Sequence, residues 1–318
     1  MRDHYPYFTK AAVFLPPNGF KRSRKRFSLS NVCLKKGALL LGCFKNKKTE
    51  QMNTGIKTLT CGVLLWLHLA CSAASAPYSA IVMDANTNQV LYRDKAEAIS
   101  HPAGLTKLAA FYVALSEVEA GNIGLDTMIK ISSKATEEAD PTLGLREGQR
   151  IELRYLIRAA AVRGANDAAT ALAEGIAGSE SAFAEKMNHM AQELGLTQSS
   201  FRNAHGLTES GQYSTAKDIA KLFLALERDF TRDFYMLGKT KVNAKIKTVK
   251  HSGQRLLNEY PEAVAVKTGY TRAAGFCGAM YAKRGQREII VVMFGGRSTA
   301  TRNAQMMKLA ELGFKKAK

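Results

Sequence analysis

The chain has 318 residues, 46% of them hydrophobic, enough apolar material for a sizeable core in one or two domains. Its formal charge of +19 is unevenly spread, because residues 1–51 hold 12 Lys and Arg against Asp3 and Glu50, about +10 of the total. The clusters KRSRKR, KK and KNKK in that stretch have no aromatic or groove-reading module beside them. This argues against a nucleic-acid arm and for a basic disordered extension, or for sequence translated ahead of the true start.

Residues 52–76 read as a secretory signal. Met52 opens the segment, Lys57 gives a short positive n-region, and LTCGVLLWLHLACSA supplies an apolar stretch too short for a comfortable membrane span. Ala74-Ser75-Ala76 is an A-x-A-like cleavage signal, although Pro77 after Ala76 leaves cutting after Ala74 as an alternative. Cys71 suggests a lipoprotein, but His68 stands where such a signal usually has Leu. Residues 77–318 then form the exported part. Without residues 1–76, which hold 13 of the basic and 2 of the acidic residues, the charge falls to about +8 and no longer calls for nucleic acid. Four of the five cysteines precede residue 77, so Cys277 alone remains and no internal disulfide is expected. No CxxC or His/Cys ligand spacing occurs, so neither a zinc site nor another metal or cofactor is expected.

The exported part opens with YSAIVMDANTNQVLYRD, two β-prone runs flanking a turn, which is a hairpin signal. A mainly helical middle follows, beginning with LAAFYVALSEVEAG at 108–121, whose apolar residues recur at helical spacing. IELRYLIRAAAVRGANDAATALAEGI, SESAFAEKMNHMAQELGL and STAKDIAKLFLALERD continue it. The pattern returns to strands in AVAVKTGY, AGFCGAMYAKR and REIIVVMFGG, and TRNAQMMKLAELGFKKA closes the chain as a helix. Strands at both ends with helices between predict an α+β fold: one sheet built from distant parts of the chain, with an inserted helical subdomain.

Three short motifs occur in order: GLTK (104–107), GAN (164–166) and KTG (267–269). Each is weak alone. Their flanks are more specific: HPAGLTK, NDAATALAE, NAHGL with GQYSTAKD, KTGYT with AGFCG, and GGRSTATR. From about residue 78 to 315 the chain resembles the serine D-Ala-D-Ala carboxypeptidases, the low-molecular-mass penicillin-binding proteins of the DD-peptidase/β-lactamase-like superfamily, which carry Ser-x-x-Lys, Ser-x-Asn and Lys-Thr-Gly in this order. The resemblance implies a β-lactamase/transpeptidase-like fold with an antiparallel sheet. It implies removal of the terminal D-Ala from peptidoglycan stem peptides through a serine acyl-enzyme. Carried over by motif, position 104 is that of the nucleophile, Lys107 the general base beside a second cation, Lys267, and position 164 the proton relay. Asn166, Lys267, Thr268, Gly269 and Tyr270 fall on substrate-binding positions. The N–H groups of Gly104 and Tyr270 fall on the oxyanion hole, and Arg302 on the partner of the substrate carboxylate.

The chain departs from this pattern at two positions: Gly104 and Gly164 stand where the family has serines. Thr106 lies roughly 200° around the helix from residue 104 and should point away. Loss of the nucleophile costs a serine peptidase on the order of 10⁶ in kcat. Two readings follow: a crippled carboxypeptidase, or a non-enzymatic periplasmic protein that binds stem peptides or wall partners. β-Lactams are expected to bind only non-covalently, and serines restored at both glycines to recover acylation. His205 reads as structural, and Tyr213 and Ser214 as loop organisers. The C-terminal β domain and amphipathic anchor helix common in the family are not expected before Lys318, and FKKAK is too short for stable membrane attachment.

Overall fold

The computed structural model describes residues 76–317; the basic extension and the leader through Ser75 lie outside the described residues. The chain enters through β1 (Ser79–Asp84) and β2 (Val90–Asp94). Helix α1 (Thr106–Glu119) follows, then a short strand pair, β3 (Met128–Lys130) and β4 (Arg150–Glu152). Three helices come next: α2 (Leu153–Arg158), α3 (Asn166–Ala177) and α4 (Glu180–Glu193). Helix α5 (Ala216–Asp229) leads to a second small pair, β5 (Lys241–Asn243) and β6 (Thr248–Lys250). The long strands β7 (Ala263–Thr271), β8 (Gly275–Arg284) and β9 (Arg287–Gly296) precede the closing helix α6 (Thr299–Lys316).

The main sheet has the order β2-β1-β9-β8-β7 and is antiparallel throughout. Strands from both ends of the described chain therefore meet at the β1–β9 ladder, with Val82 opposite Val291 and Ile81 opposite Val292. This is the α+β arrangement expected from the pattern of elements. The period of two decides which residue faces which layer. On β9, Ile289, Val291 and Met293 join α6 residues Met306, Leu309 and Phe314 in one buried cluster. Ile290, Val292 and Phe294 alternate with them and face the helical subdomain, where Leu108, Phe223 and Phe234 belong to the other cluster. The sheet is covered on both sides.

Helix starts follow local chemistry. Ser179 and Thr215 accept a backbone N–H at the starts of α4 and α5, and Ser298 with Thr301 makes a reciprocal cap at α6. The segment 151–176 is not one helix. It divides into β4, α2, a π-helical turn at Ala159–Arg163 and α3, with Gly164 in the left-handed region (φ +79°) at the break. No helix among the described residues is long and apolar enough to cross a membrane.

Phe294 is fully buried between β9 and the helical layer. Phe294→Ala should lower the unfolding free energy by about 3–5 kcal/mol, read as a shift of the urea midpoint at unchanged slope.

Candidate functional site

Residues 103–105 form a single 3-10 turn entered by Ala103 at φ +48°, and α1 begins only at Thr106. Gly104 therefore precedes the helix on which the sequence had placed it. A 3-10 turn overlays positions three apart, so residue 104 and Lys107 still share a side. Both line a pocket of about 280 Å³, together with Gly164, Asn166, Thr268, Gly269, Tyr270 and Arg302. Thr106 does not line it; its hydroxyl is buried without a partner. The pocket thus brings together every predicted site residue except Lys267.

Lys107 is buried, and its Nζ donates to Asn166 Oδ1 (2.6 Å) and to the His205 carbonyl. Burial pulls its pKa down to about 7, against the opposing fields of Glu138 and Asp167. Lys267 is fully buried behind the pocket wall, where its Nζ donates to the carbonyls of Ala160 (2.9 Å) and Ala161 (2.6 Å). These acceptors arise from the π-helical turn: its wider hydrogen bonding runs Gly164 N–H back to the Ala159 carbonyl, and Lys267 takes the next two. Burial, and then repulsion from Lys107, hold the Lys267 pKa well below the ordinary lysine range.

The Asn166 amide is also held internally, with Nδ2 donating to Ala139 O (2.6 Å) and the backbone N–H to Pro141 O (2.7 Å). Asp167, in the first turn of α3, accepts the N–H groups of Leu143, Gly144 and Leu145. Those bonds fix the 140–145 loop, whose Asp140 and Pro141 line the pocket. His205 is neutral, since burial drives its pKa down to about 4. Its Nδ1 accepts Leu207 N–H, so the Nε2 proton faces Glu180 Oε1 (3.4 Å) and Glu138 Oε1 (3.5 Å).

These three side chains bring potential ligand atoms within 4.8 Å of one another. Thr170 already donates to Glu138, and Lys134 and Ala204 N–H already hold Glu180. The group is self-satisfied and acts as a clamp that presents the His205 carbonyl to Lys107, a structural role.

Arg302 is 4% exposed, with Nε and Nη2 on Asn303 Oδ1 and Nη1 only 3.5 Å from the Cys277 carbonyl. Among the described residues no carboxylate lies within 4.0 Å of this guanidinium. Burial lowers its pKa to about 10, so it stays charged at neutral pH. Tyr270 is exposed and leans on Phe276, ring centroids 4.4 Å apart, to form one rim.

Nothing in the motif pattern pointed to Ser252. It lies outside all three motifs, yet it lines the pocket and its Oγ accepts from Thr268 Oγ1 at 3.1 Å.

Both glycines are sterically committed. A Cβ on residue 104 would stand 2.9 Å from Thr268 O and 3.0 Å from Gly269 Cα, so β7 would have to retreat. A Cβ on residue 164 meets nothing closer than Lys267 Nζ at 3.6 Å, but the positive φ strains any L side chain there. Gly104→Ala should therefore destabilise by about 1–3 kcal/mol through overpacking, outweighing a helix-propensity gain of at most about 1 kcal/mol. A urea-derived unfolding free energy checks the sign.

A lysine whose folded pKa is depressed binds its proton in the unfolded chain first, so between about pH 7 and the ordinary lysine value stability should rise with pH. Lys107→Met should reduce that slope by one proton, about 1.4 kcal/mol per pH unit, in unfolding free energies measured from pH 7.5 to 9.5.

Comparison with known proteins agrees with this geometry. A family model described as D-alanyl-D-alanine carboxypeptidase (peptidase S11) matches residues 70–298. The chain is 34% identical over 241 residues to the D-alanyl-D-alanine carboxypeptidase DacF of Bacillus subtilis, covering 74% of this chain and 61% of that one. It is 32% identical over 250 residues to DacA of Escherichia coli, covering 74% and 60% respectively. The chain thus spans about six-tenths of the length of these curated relatives. Among solved structures it resembles penicillin-binding protein 6B of Escherichia coli, with a TM-score of 0.67 and 31% identity over 76% of this chain and 77% of that one. It also resembles DacD of Francisella tularensis, with a TM-score of 0.70 and 27% identity over 74% and 69%. The chain belongs to the D-alanyl-D-alanine carboxypeptidase family.

Proposed function

We propose that this chain acts in peptidoglycan metabolism by binding the D-Ala-D-Ala end of stem peptides, with the acyl-transfer step of its family lost or reduced to a residue. The observation that carries this reading is the composition of the pocket. It keeps a buried guanidinium at Arg302 with no carboxylate within 4.0 Å among the described residues and an amine at Lys107 whose pKa is lowered to about 7, and has glycine at both positions where the family has a serine.

The remaining groups have defined tasks. Arg302 attracts the terminal carboxylate through a charge-assisted bond. Strand β7 is an edge of the main sheet, and its Thr268–Tyr270 stretch lines the pocket along which an extended peptide is taken to lie. The N–H groups of residues 104 and 270 are assigned to the scissile carbonyl oxygen. Lys107 can take a proton near neutral pH, but the pocket presents no hydroxyl at position 104 for it to activate. Binding and carbonyl polarisation survive, and residual hydrolysis is left to water. Export to the periplasm, through the leader that ends near residue 76, belongs to the same proposal.

Incubation with fluorescent penicillin should give no covalent adduct on the purified protein, while diacetyl-L-Lys-D-Ala-D-Ala should bind reversibly in calorimetry. Arg302→Ala should weaken that binding by about 2 kcal/mol, the scale of a hydrogen bond to a charged group. A stable penicillin adduct on the unaltered chain would overturn the loss of acylation. Absence of peptide binding would overturn the binding role. Gly104→Ser with Gly164→Ser should recover the adduct, at a lower melting temperature than the parent.

A further inference from the structure

We propose that Ser252, which lines the pocket beside Gly164, is a ligand-contacting residue that donates a hydrogen bond to the terminal carboxylate of the bound peptide. The proposal rests on the stem-peptide reading above and deepens it.

Four observations converge on Ser252. It is the only serine among the described residues lining the pocket, and it is exposed there. It is held firmly: its backbone N–H donates to Val162 O (3.0 Å), in the π-helical turn that ends at Gly164. It borders the space that Gly164 vacates, because a Cβ on residue 164 would stand 4.0 Å from Ser252 Cβ and Oγ and 3.6 Å from Lys267 Nζ. Finally, the direction of its one protein bond is informative. A hydroxyl has a single proton, and Thr268 spends its own on Ser252 Oγ.

The proton of Ser252 finds no acceptor among the described residues, so it is the one this hydroxyl pair can offer to an anion. Arg302, on the same pocket, supplies the matching charge. The carboxylate is thereby read by a Thr268→Ser252→carboxylate relay on one side and by the guanidinium on the other. Protons are conserved, and no bond is made or broken.

The test compares diacetyl-L-Lys-D-Ala-D-Ala with its C-terminal amide by calorimetry on the full chain. Ser252→Ala should lose about tenfold in affinity for the acid, the scale of a hydrogen bond to a charged acceptor, and nothing for the amide. Ser252→Thr, which keeps the hydroxyl, should restore most of the loss. Because the side chain is exposed, the melting temperature should not move. Equal affinity of Ser252→Ala for the acid, or an equal loss on acid and amide, overturns this role while leaving the binding reading intact. Failure of the unaltered chain to bind either peptide overturns both.

Discussion

Among the described residues two lysine amines, those of Lys107 and Lys267, are buried with no carboxylate within 4.0 Å, and much of the architecture around the pocket follows from the acceptors they find instead. An ammonium moved out of water without a counter-ion is penalised by several kcal/mol, and loss of the proton is the usual escape. A neutral amine still needs acceptors for its remaining N–H groups. Lys267 finds them only because the helix widens into a π turn at Ala159–Arg163 and frees two carbonyls. Lys107 finds them in Asn166, at the start of α3, and in the His205 carbonyl, which the Glu138–Glu180 clamp holds in place. Each amine stitches the sheet or its adjoining helix to the helical subdomain across the pocket.

The glycines complete that packing rather than leaving holes in it. With no side chain at residue 104, β7 lies against the 103–105 turn at a distance that a Cβ could not tolerate. At residue 164 the left-handed backbone turns the chain from the π turn into α3, a conformation glycine adopts without cost. The site is therefore not an intact peptidase centre with two atoms erased. The surrounding backbone has settled around glycine. With no hydroxyl at either position, the contacts that hold the pocket open persist.

Much of this was legible in the sequence because it is written in local pattern. The continuous apolar run in REIIVVMFGG gives a strand covered on both faces, and the motif order with its flanks brings Lys107, Asn166, Thr268 and Arg302 to one pocket. What was not legible depends on longer-range geometry. The run 151–176 reads as continuous helix because Ala, Leu and Arg are good helix formers, and nothing in those residues announces a π turn. Lys267 reads as a pocket residue, but the strand carries its side chain behind the wall. Ser252 sits in an unremarkable loop and reaches the site only because Val162 holds its backbone there. The closeness of β7 to residue 104 is a distance between segments more than 160 positions apart, which periodicity cannot encode.

The electrostatics of the pocket also give the bound ligand a direction. Lysine can escape desolvation by releasing its proton: burial lowers the Lys107 pKa to about 7 and holds that of Lys267 well below the ordinary lysine range. Arginine cannot, and Arg302 remains cationic at pH 7 even after burial lowers its pKa to about 10. At neutral pH Arg302 therefore carries a full positive charge and the Lys107 amine only part of one. An acyl-D-Ala-D-Ala end has the complementary asymmetry: one full negative charge at its terminus and an uncharged carbonyl separated from the carboxylate carbon by two atoms, the amide nitrogen and Cα. Only one orientation matches charge to charge, placing the terminus by Arg302 and the carbonyl by Gly104. That polarity needs no nucleophile, so the proposed binding of the peptide in this orientation is compatible with glycine at both serine positions.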